Sequence, residues 1–218
     1  MIKTIYHLAD IHIPERIERH DEYREVFERI IKIINDDDTE KMIVICGDYF
    51  DQKNISGTTL SLGIEILYLL STCCEIVLFG GNHDINAKNE NNIPYIEAIT
   101  CDNMNYKNKI HYLKESKFYD INGIIFGLTA ITSRQVLKIN KKEKDKNKTY
   151  IGLYHGQMYK SKMDNDFIIK NDTLFRTKDF KDYDIVMLGD IHIHQYLNDK
   201  KTIAYSSSIR SEEHTSEL

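Results

Sequence analysis

Residues 41–51 read Lys41-Met-Ile-Val-Ile-Cys46 followed at once by Gly47-Asp48-Tyr-Phe-Asp51. The apolar run predicts a buried strand. Gly-Asp directly behind it allows a sharp turn and presents one carboxylate at the carboxyl end of the strand, where α/β sheets bind their ligands. A strand of this kind needs parallel neighbours and crossover helices, and the flanking sequence supplies candidates for both.

Upstream, Ile2–Leu8 predicts a strand. Glu15–Asn35 predicts an amphipathic helix, with Val26, Phe27, Ile30, Ile33 and Ile34 at helical spacing. Downstream, Thr58–Thr72 predicts a second helix, Glu75–Phe79 a third strand and Pro94–Cys101 a short helix. Beyond Ile110 the pattern changes. Phe118–Ile121 and Ile124–Leu128 flank Asn122-Gly123, a hairpin signal. Tyr150–Tyr154 and Ile185–Leu188 predict further strands, and Gln195–Leu197 with Thr202–Tyr205 a last hairpin. Two sheets packed together with helices outside accommodate a parallel first half and an antiparallel-containing second half.

The chain has 218 residues and a net charge of −5 with histidines neutral. That length suits one domain, expected over residues 1–209. The charge argues against a protein that grips nucleic acid by bulk attraction, but not against an enzyme whose bound cations bring local positive charge. No stretch approaches the roughly 18 apolar residues of a membrane span. The start, Met1-Ile-Lys-Thr-Ile-Tyr-His-Leu8, lacks a signal-peptide layout, so a cytoplasmic protein is expected (host cytoplasm for a viral one). Cys46, Cys73, Cys74 and Cys101 form no CxxC pair and read as buried reduced thiols. Residues 138–148 hold six lysines against two acids, either a solvated loop or a phosphate-contacting one. The closing Arg210-Ser-Glu-Glu-His-Thr-Ser-Glu-Leu218 is unlike the rest and matches a reading frame of a common sequencing adapter. It is expected to be non-native, with the natural sequence departing near Ile209.

Five short motifs follow predicted strands: Asp10-Ile-His12, Gly47-Asp48, Gly80-Gly-Asn82-His83-Asp84, His155-Gly156 and Gly189-Asp190-Ile-His192-Ile-His194. In an extended Asp-x-His both side chains point to one side and can meet one ion. His192-x-His194 repeats that spacing with two imidazoles. A carboxylate such as Asp48 can bridge two cations, and Asn82 offers an amide oxygen. Carboxylate, amide and imidazole together suit Mn²⁺, Fe²⁺ or Zn²⁺ better than a thiolate-seeking metal. His7, His20 and His111 read as structural, exposed or turn residues, Asp51 as a hydrogen-bonding partner and Asp190 as a support of its turn. Ser206-Ser-Ser208 has no histidine at a spacing that would make a nucleophile.

Taken together and in this order, the five motifs resemble the calcineurin-like metallophosphoesterases. The resemblance covers Asp10 to about Ile209 and implies a four-layer α/β/β/α sandwich of two mixed sheets. It implies one metal on Asp10, His12, Asp48 and His194, and a second on Asp48, Asn82, His155 and His192, with Asp48 bridging. His83 would face the substrate as the catalytic acid, with Asp84 orienting it. Two such cations can share a water, lower its pKa and direct it at phosphorus. Leu8-Ala-Asp-Ile-His-Ile13, Gly47-Asp-Tyr-Phe-Asp51, Gly189-Asp-Ile-His-Ile-His-Gln195 and Tyr205-Ser-Ser-Ser-Ile209 look like the SbcD-like, meiotic-recombination-eleven type of DNA double-strand-break repair nuclease. That likeness implies exonuclease and endonuclease activity on DNA ends in repair or recombination, Mn²⁺ as the metal, a homodimer, and an SbcC-type coiled-coil ATPase partner whose binding segment is missing here. A phosphodiesterase or phosphatase acting on nucleotides or other small phosphoesters is the alternative, and a non-catalytic scaffold a third reading.

Overall fold

The computed structural model of the protein describes residues 2–85 and 93–209. Its first sheet is built on β2 (Lys41–Cys46), which lies between β1 (Thr4–Leu8) and β3 (Glu75–Phe79); β4 (Ile110–Tyr112) extends it beyond β3. All three pairings are parallel, so this sheet is purely parallel rather than mixed. The crossovers that parallel pairing demands are helices. A 3-10 turn, Ile17–Arg19, leads into α1 (His20–Asn35). α2 (Gly57–Cys73) starts where the Ser56 hydroxyl accepts the Thr59 amide at 3.2 Å, satisfying an end donor of the helix. α3 (Tyr95–Ile99) precedes β4.

Alternation along the strands sorts the core into two layers. Ile43, Ile45, Ile76 and Leu78 face Phe27 and Ile34 of α1 and Leu62, Ile66 and Leu70 of α2. Met42, Val44, Val77 and Phe79 face the other way, against Phe126, Leu128, Ile151 and Leu153 of the second sheet. Each such fully buried side chain contributes about 1.5–3 kcal/mol of hydrophobic stabilisation. That second sheet comprises β5 (Phe118–Ile121), β6 (Ile124–Thr129), β7 (Thr149–His155), β8 (Ile185–Gly189), β9 (Gln195–Tyr196) and β10 (Ile203–Tyr205), in the order β5-β6-β7-β8-β10-β9. Its interior pairs are parallel and its two edge strands antiparallel. The β5–β6 turn takes positive φ at both Asn122 (52°) and Gly123 (83°), as a two-residue hairpin requires.

The expected two-sheet α/β architecture is therefore present, with one thinner layer. On the outer face of the second sheet, Tyr150, Leu188 and Tyr205 are buried with Met158, Phe180 and Tyr183, which come from irregular segments and a 3-10 helix, Thr177–Phe180. Among the described residues no α-helix lies there, because residues 130–148 and 156–184 offer charged and polar residues rather than an apolar stripe at helical spacing. The lysine-rich loop is tied down by acids: Lys141 pairs with Asp182 at 3.0 Å, Lys144 with Asp184 at 2.9 Å, and Lys148 with Asp120. His7 is structural as expected. Its Nε2 donates to the Leu188 carbonyl at 3.1 Å and so links the two sheets, and burial pushes its pKa down to about 4. His20 is neither exposed nor in a turn: it opens α1, buried, with Nε2 on the Pro14 carbonyl at 2.8 Å. His111 lies in β4 and pairs with Glu75 at 2.8 Å. The suspected foreign tail, residues 210–218, lies outside the described residues. No helix among those residues is long and apolar enough to cross a membrane.

Candidate metal centre

The five strand-end motifs bring their side chains to one place, though not by the extended geometry expected of Asp-x-His. Asp10 (φ 51°), His12 (φ 51°), Asp48 (φ 50°) and Asp190 (φ 93°) all sit at positive φ. That region costs a non-glycine residue roughly 1–2 kcal/mol and concentrates at functional sites. It is held by main-chain bonds between the first two loops. Asp10 N–H donates to the Gly47 carbonyl at 3.1 Å, His12 N–H to Asp48 at 3.0 Å and Ile13 N–H to Tyr49 at 3.0 Å.

Two overlapping groups of donor atoms result, one at His12 and one at His155; Asp10 belongs to both, its ligand atom also within 4.8 Å of those of Asp48 and His155, and His12, Asp48 and His83 make a further such trio. In the first, Asp10, His12 and His192 offer ligand atoms within 4.8 Å of one another, and His12 Nε2 lies 3.2 Å from His192 Nε2. In the second, His155 Nε2 lies 3.2 Å from Asp48 Oδ2, 3.0 Å from Asn82 Oδ1 and 3.8 Å from Asp190 Oδ1. His155 Nδ1 donates to the Cys46 carbonyl at 2.8 Å, so Nε2 is the atom left to act as a ligand. Asp48 stands between the groups: Oδ2 faces His155 and is 3.9 Å from His12 Nε2, while Oδ1 accepts the His83 amide at 2.8 Å.

Facing ring nitrogens and converging carboxylate and amide oxygens are lone-pair donors, the chemistry of a divalent cation site with hard to intermediate ligands. The charges of these groups are set by burial and by one another. Burial pushes the Asp10 carboxyl up to about 7, against the opposing pull of His155 and the Asp190 amide. Burial opposes charge on His155, but its hydrogen bond to Asp48 and the charges of Asp48, Asp10 and Asp190 outweigh it and raise the ring to about 10. Burial likewise works to raise Asp48, and its bond to His155 overrides that and holds it low. Space is kept open by glycines. A Cβ on Gly81 would strike Asp48 Oδ1 and come within 2.7 Å of His155 Nε2; one on Gly47 (φ 80°) would strike His155 Nδ1.

Of the residues expected in the site, Asp10, His12, Asp48, Asn82, His83, His155 and His192 are brought together, and His194 is not. His194 is exposed, its Nδ1 bonds the Tyr205 carbonyl at 3.0 Å, and its ring packs edge-on to Tyr196 at 5.0 Å. His192 falls in the first group with Asp10 and His12, not beside Asn82 and His155, and the place near His155 is taken by Asp190. Asp190 was missed as a site residue, although Asp190-x-His192 repeats the spacing of Asp10-x-His12. Asp84 does not orient His83 either. Its buried oxygens accept the amides of Tyr49 (3.1 Å), Phe50 (3.0 Å) and Gly81 (2.9 Å), bracing the second and third loops. The His83 ring is held instead by the Asp51 carbonyl, 2.5 Å from Nδ1, with its edge to His12. The closing serines are braces: Ser207 Oγ–H donates to the His192 carbonyl at 2.7 Å and Ser208 Oγ–H to the Asp10 carbonyl at 2.7 Å.

Over 218 aligned residues the chain is 37% identical to an uncharacterized protein of Acanthamoeba polyphaga mimivirus, an alignment that takes in 95% of this chain and 16% of that protein. The pattern of the calcineurin-like phosphoesterases matches residues 3–204, nearly all of both sheets and every motif of the centre. The chain belongs to the calcineurin-like phosphoesterase family.

Proposed function

We propose that this chain hydrolyses phosphodiester bonds in DNA, using two divalent cations held at this centre, with Mn²⁺ the metal of choice. The observation that carries the reading is the placement of Asp48, whose Oδ2 faces a histidine of each donor group, His155 at 3.2 Å and His12 at 3.9 Å. A carboxylate so placed can bridge two cations. Asp10, His12 and His192 would hold the first and Asn82 and His155 the second. When bound, such a pair lowers the pKa of a shared water and neutralises charge on the phosphoryl oxygens.

The protein's own groups do the rest. His83 commits Nδ1 to the Asp51 carbonyl, so exchange of a proton with the leaving oxygen falls to Nε2. Its main-chain N–H fixes Asp48, which ties the acid to the bridging carboxylate. Asn82 is exposed while His83 and His192 are half-buried, so the site opens at a rim that a polymer backbone can reach. The likeness of four motif segments to SbcD-like nucleases supports DNA as the polymer. On that reading the protein works as a homodimer with an SbcC-type ATPase, acting at DNA ends in the cytoplasm.

The test is incubation of the purified protein, with and without Mn²⁺, with end-labelled duplex DNA and with bis-p-nitrophenyl phosphate, beside Asp48→Ala. Mn²⁺-dependent degradation of DNA, abolished in the variant, is expected. Hydrolysis of the small ester alone would move the assignment to small phosphoesters, and no hydrolysis of either would refute it.

A further inference from the structure

We infer that Asp190, rather than His192, supplies the remaining donor at the second cation position, that His192 stands at the first in place of His194, and that the resulting cage favours hard cations of the Mn²⁺ and Mg²⁺ type over Zn²⁺. The inference rests on the two-cation reading above. It concerns which residue completes the cage and what that does to metal choice.

The geometry is consistent on both sides. Asp190 Oδ1 lies 3.8 Å from His155 Nε2, on the nitrogen that Asp48 and Asn82 already approach. The turn at Asp190 is held by its main chain. Its N–H donates to both oxygens of Asp10 at 2.9 and 3.1 Å, and its φ of 93° turns the chain back into the site. Turn support is thus the work of the backbone, and the carboxylate is left for a ligand. Two residues on, the His192 carbonyl is clamped by Ser207, which sets that ring beside His12. Asp190 and His192 therefore serve the two donor groups, one each. After another two residues the chain has entered the edge hairpin, and the His194 ring is fixed outward on Tyr205 and Tyr196.

The exchange alters the charge of the cage. With His192 and His194 as its last two members, the anionic ligands would be Asp10 and Asp48. With Asp190 there are three carboxylates. Replacing an imidazole by a carboxylate adds one negative charge and one oxygen donor, which shifts preference from Zn²⁺ towards oxygen-seeking cations.

The experiment is calorimetric titration of the metal-free protein with Mn²⁺ alone and with Zn²⁺ alone, and electron paramagnetic resonance of the Mn²⁺ forms. The chains compared are wild type, Asp190→Asn, Asp190→His and His194→Ala. Asparagine is compatible with positive φ, so Asp190→Asn preserves the turn, and its melting curve checks the fold. Wild type should bind two Mn²⁺ with spin coupling between them. Asp190→Asn should weaken the second Mn²⁺ on the order of 100-fold and lose the coupling. Asp190→His should restore a second site and shift its preference towards Zn²⁺ on the order of 10-fold. His194→Ala should bind both ions within about 2-fold of wild type, since its ring makes no contact with either donor group. A second Mn²⁺ lost in His194→Ala but kept in Asp190→Asn overturns the inference. A wild type that binds fewer than two ions of either metal overturns the two-cation reading, and this inference with it.

Discussion

A methyl group added at Gly81 tests whether the donor atoms form a cage with no slack. The ideal Cβ would strike Asp48 Oδ1 and lie 2.6 Å from the Asp48 main-chain nitrogen and 2.7 Å from His155 Nε2. These fall about 0.8 and 0.7 Å short of an ordinary contact near 3.4 Å. Neither neighbour can retreat freely. The Asp48 backbone is pinned at φ 50° with its carbonyl on the His12 amide, and the His155 ring is pinned by Cys46. Metal–ligand distances tolerate only about 0.2 Å, so displacements of this size should lower Mn²⁺ affinity on the order of 100-fold, about 2.7 kcal/mol. The overpacking itself should cost roughly 1–3 kcal/mol of folding stability. The assay is Mn²⁺ titration with a thermal melt of the metal-free protein. Gly57→Ala is the control: a Cβ there meets nothing within 4 Å, so metal binding should be untouched. If Gly81→Ala bound two Mn²⁺ as tightly as wild type, the inner wall of the centre would not be where the structure places it.

Two further outcomes follow from the same geometry. His83→Ala should keep both Mn²⁺ ions, because the amide that holds Asp48 survives, yet slow turnover of DNA by roughly 10²–10⁴; full activity with metals bound would remove His83 from the mechanism. Mn²⁺ affinity should fall as the pH is lowered, since the cation competes with protons on Asp10, raised by burial to about 7, and on His155, raised to about 10 by its bond to Asp48 and the nearby carboxylates. Below about pH 7 both groups hold protons that the metal must displace, and between about 7 and 10 only His155 does. Calorimetry in buffers of different ionisation enthalpy should therefore record more protons released at pH 6 than at pH 8, and equal release at both would contradict the assignment.

Strands packed on both faces were the easiest elements to read. Lys41–Cys46 and Glu75–Phe79 match their expected limits, because each is an unbroken apolar run stopped by Gly-Asp or Gly-Gly. The Asn122-Gly123 hairpin was equally plain, since few sequences accept two successive residues at positive φ. The outer layer of the second sheet was not legible. Its cover is held by scattered anchors such as Met158, Ile169 and Phe180 and by pairs such as Lys144 with Asp184. Neither leaves a periodic signal.

Most of the expected site residues lie together, though not in the extended register the spacing suggested. Period-2 reasoning assumes extended backbone, and Asp10, His12, Asp48 and Asp190 all leave it. Once a chain turns through positive φ, the side that a residue faces depends on which main-chain groups catch the turn. At Asp190 the catch is the Asp10 carboxylate, and at His192 it is Ser207, a residue of the last described segment. The family resemblance put His192 and His194 among the ligands, while Asp190 read as a support of its turn. The Asp190 amide does that turn chemistry, which is why its side chain is free to face His155. Asp84 inverts the same lesson. The resemblance made it the partner of His83, whereas three main-chain amides from two loops claim its carboxylate. In this centre, then, motif order identifies the loops that meet, and the main-chain hydrogen bonds between those loops decide which acid faces the cluster of donor atoms and which one holds the frame.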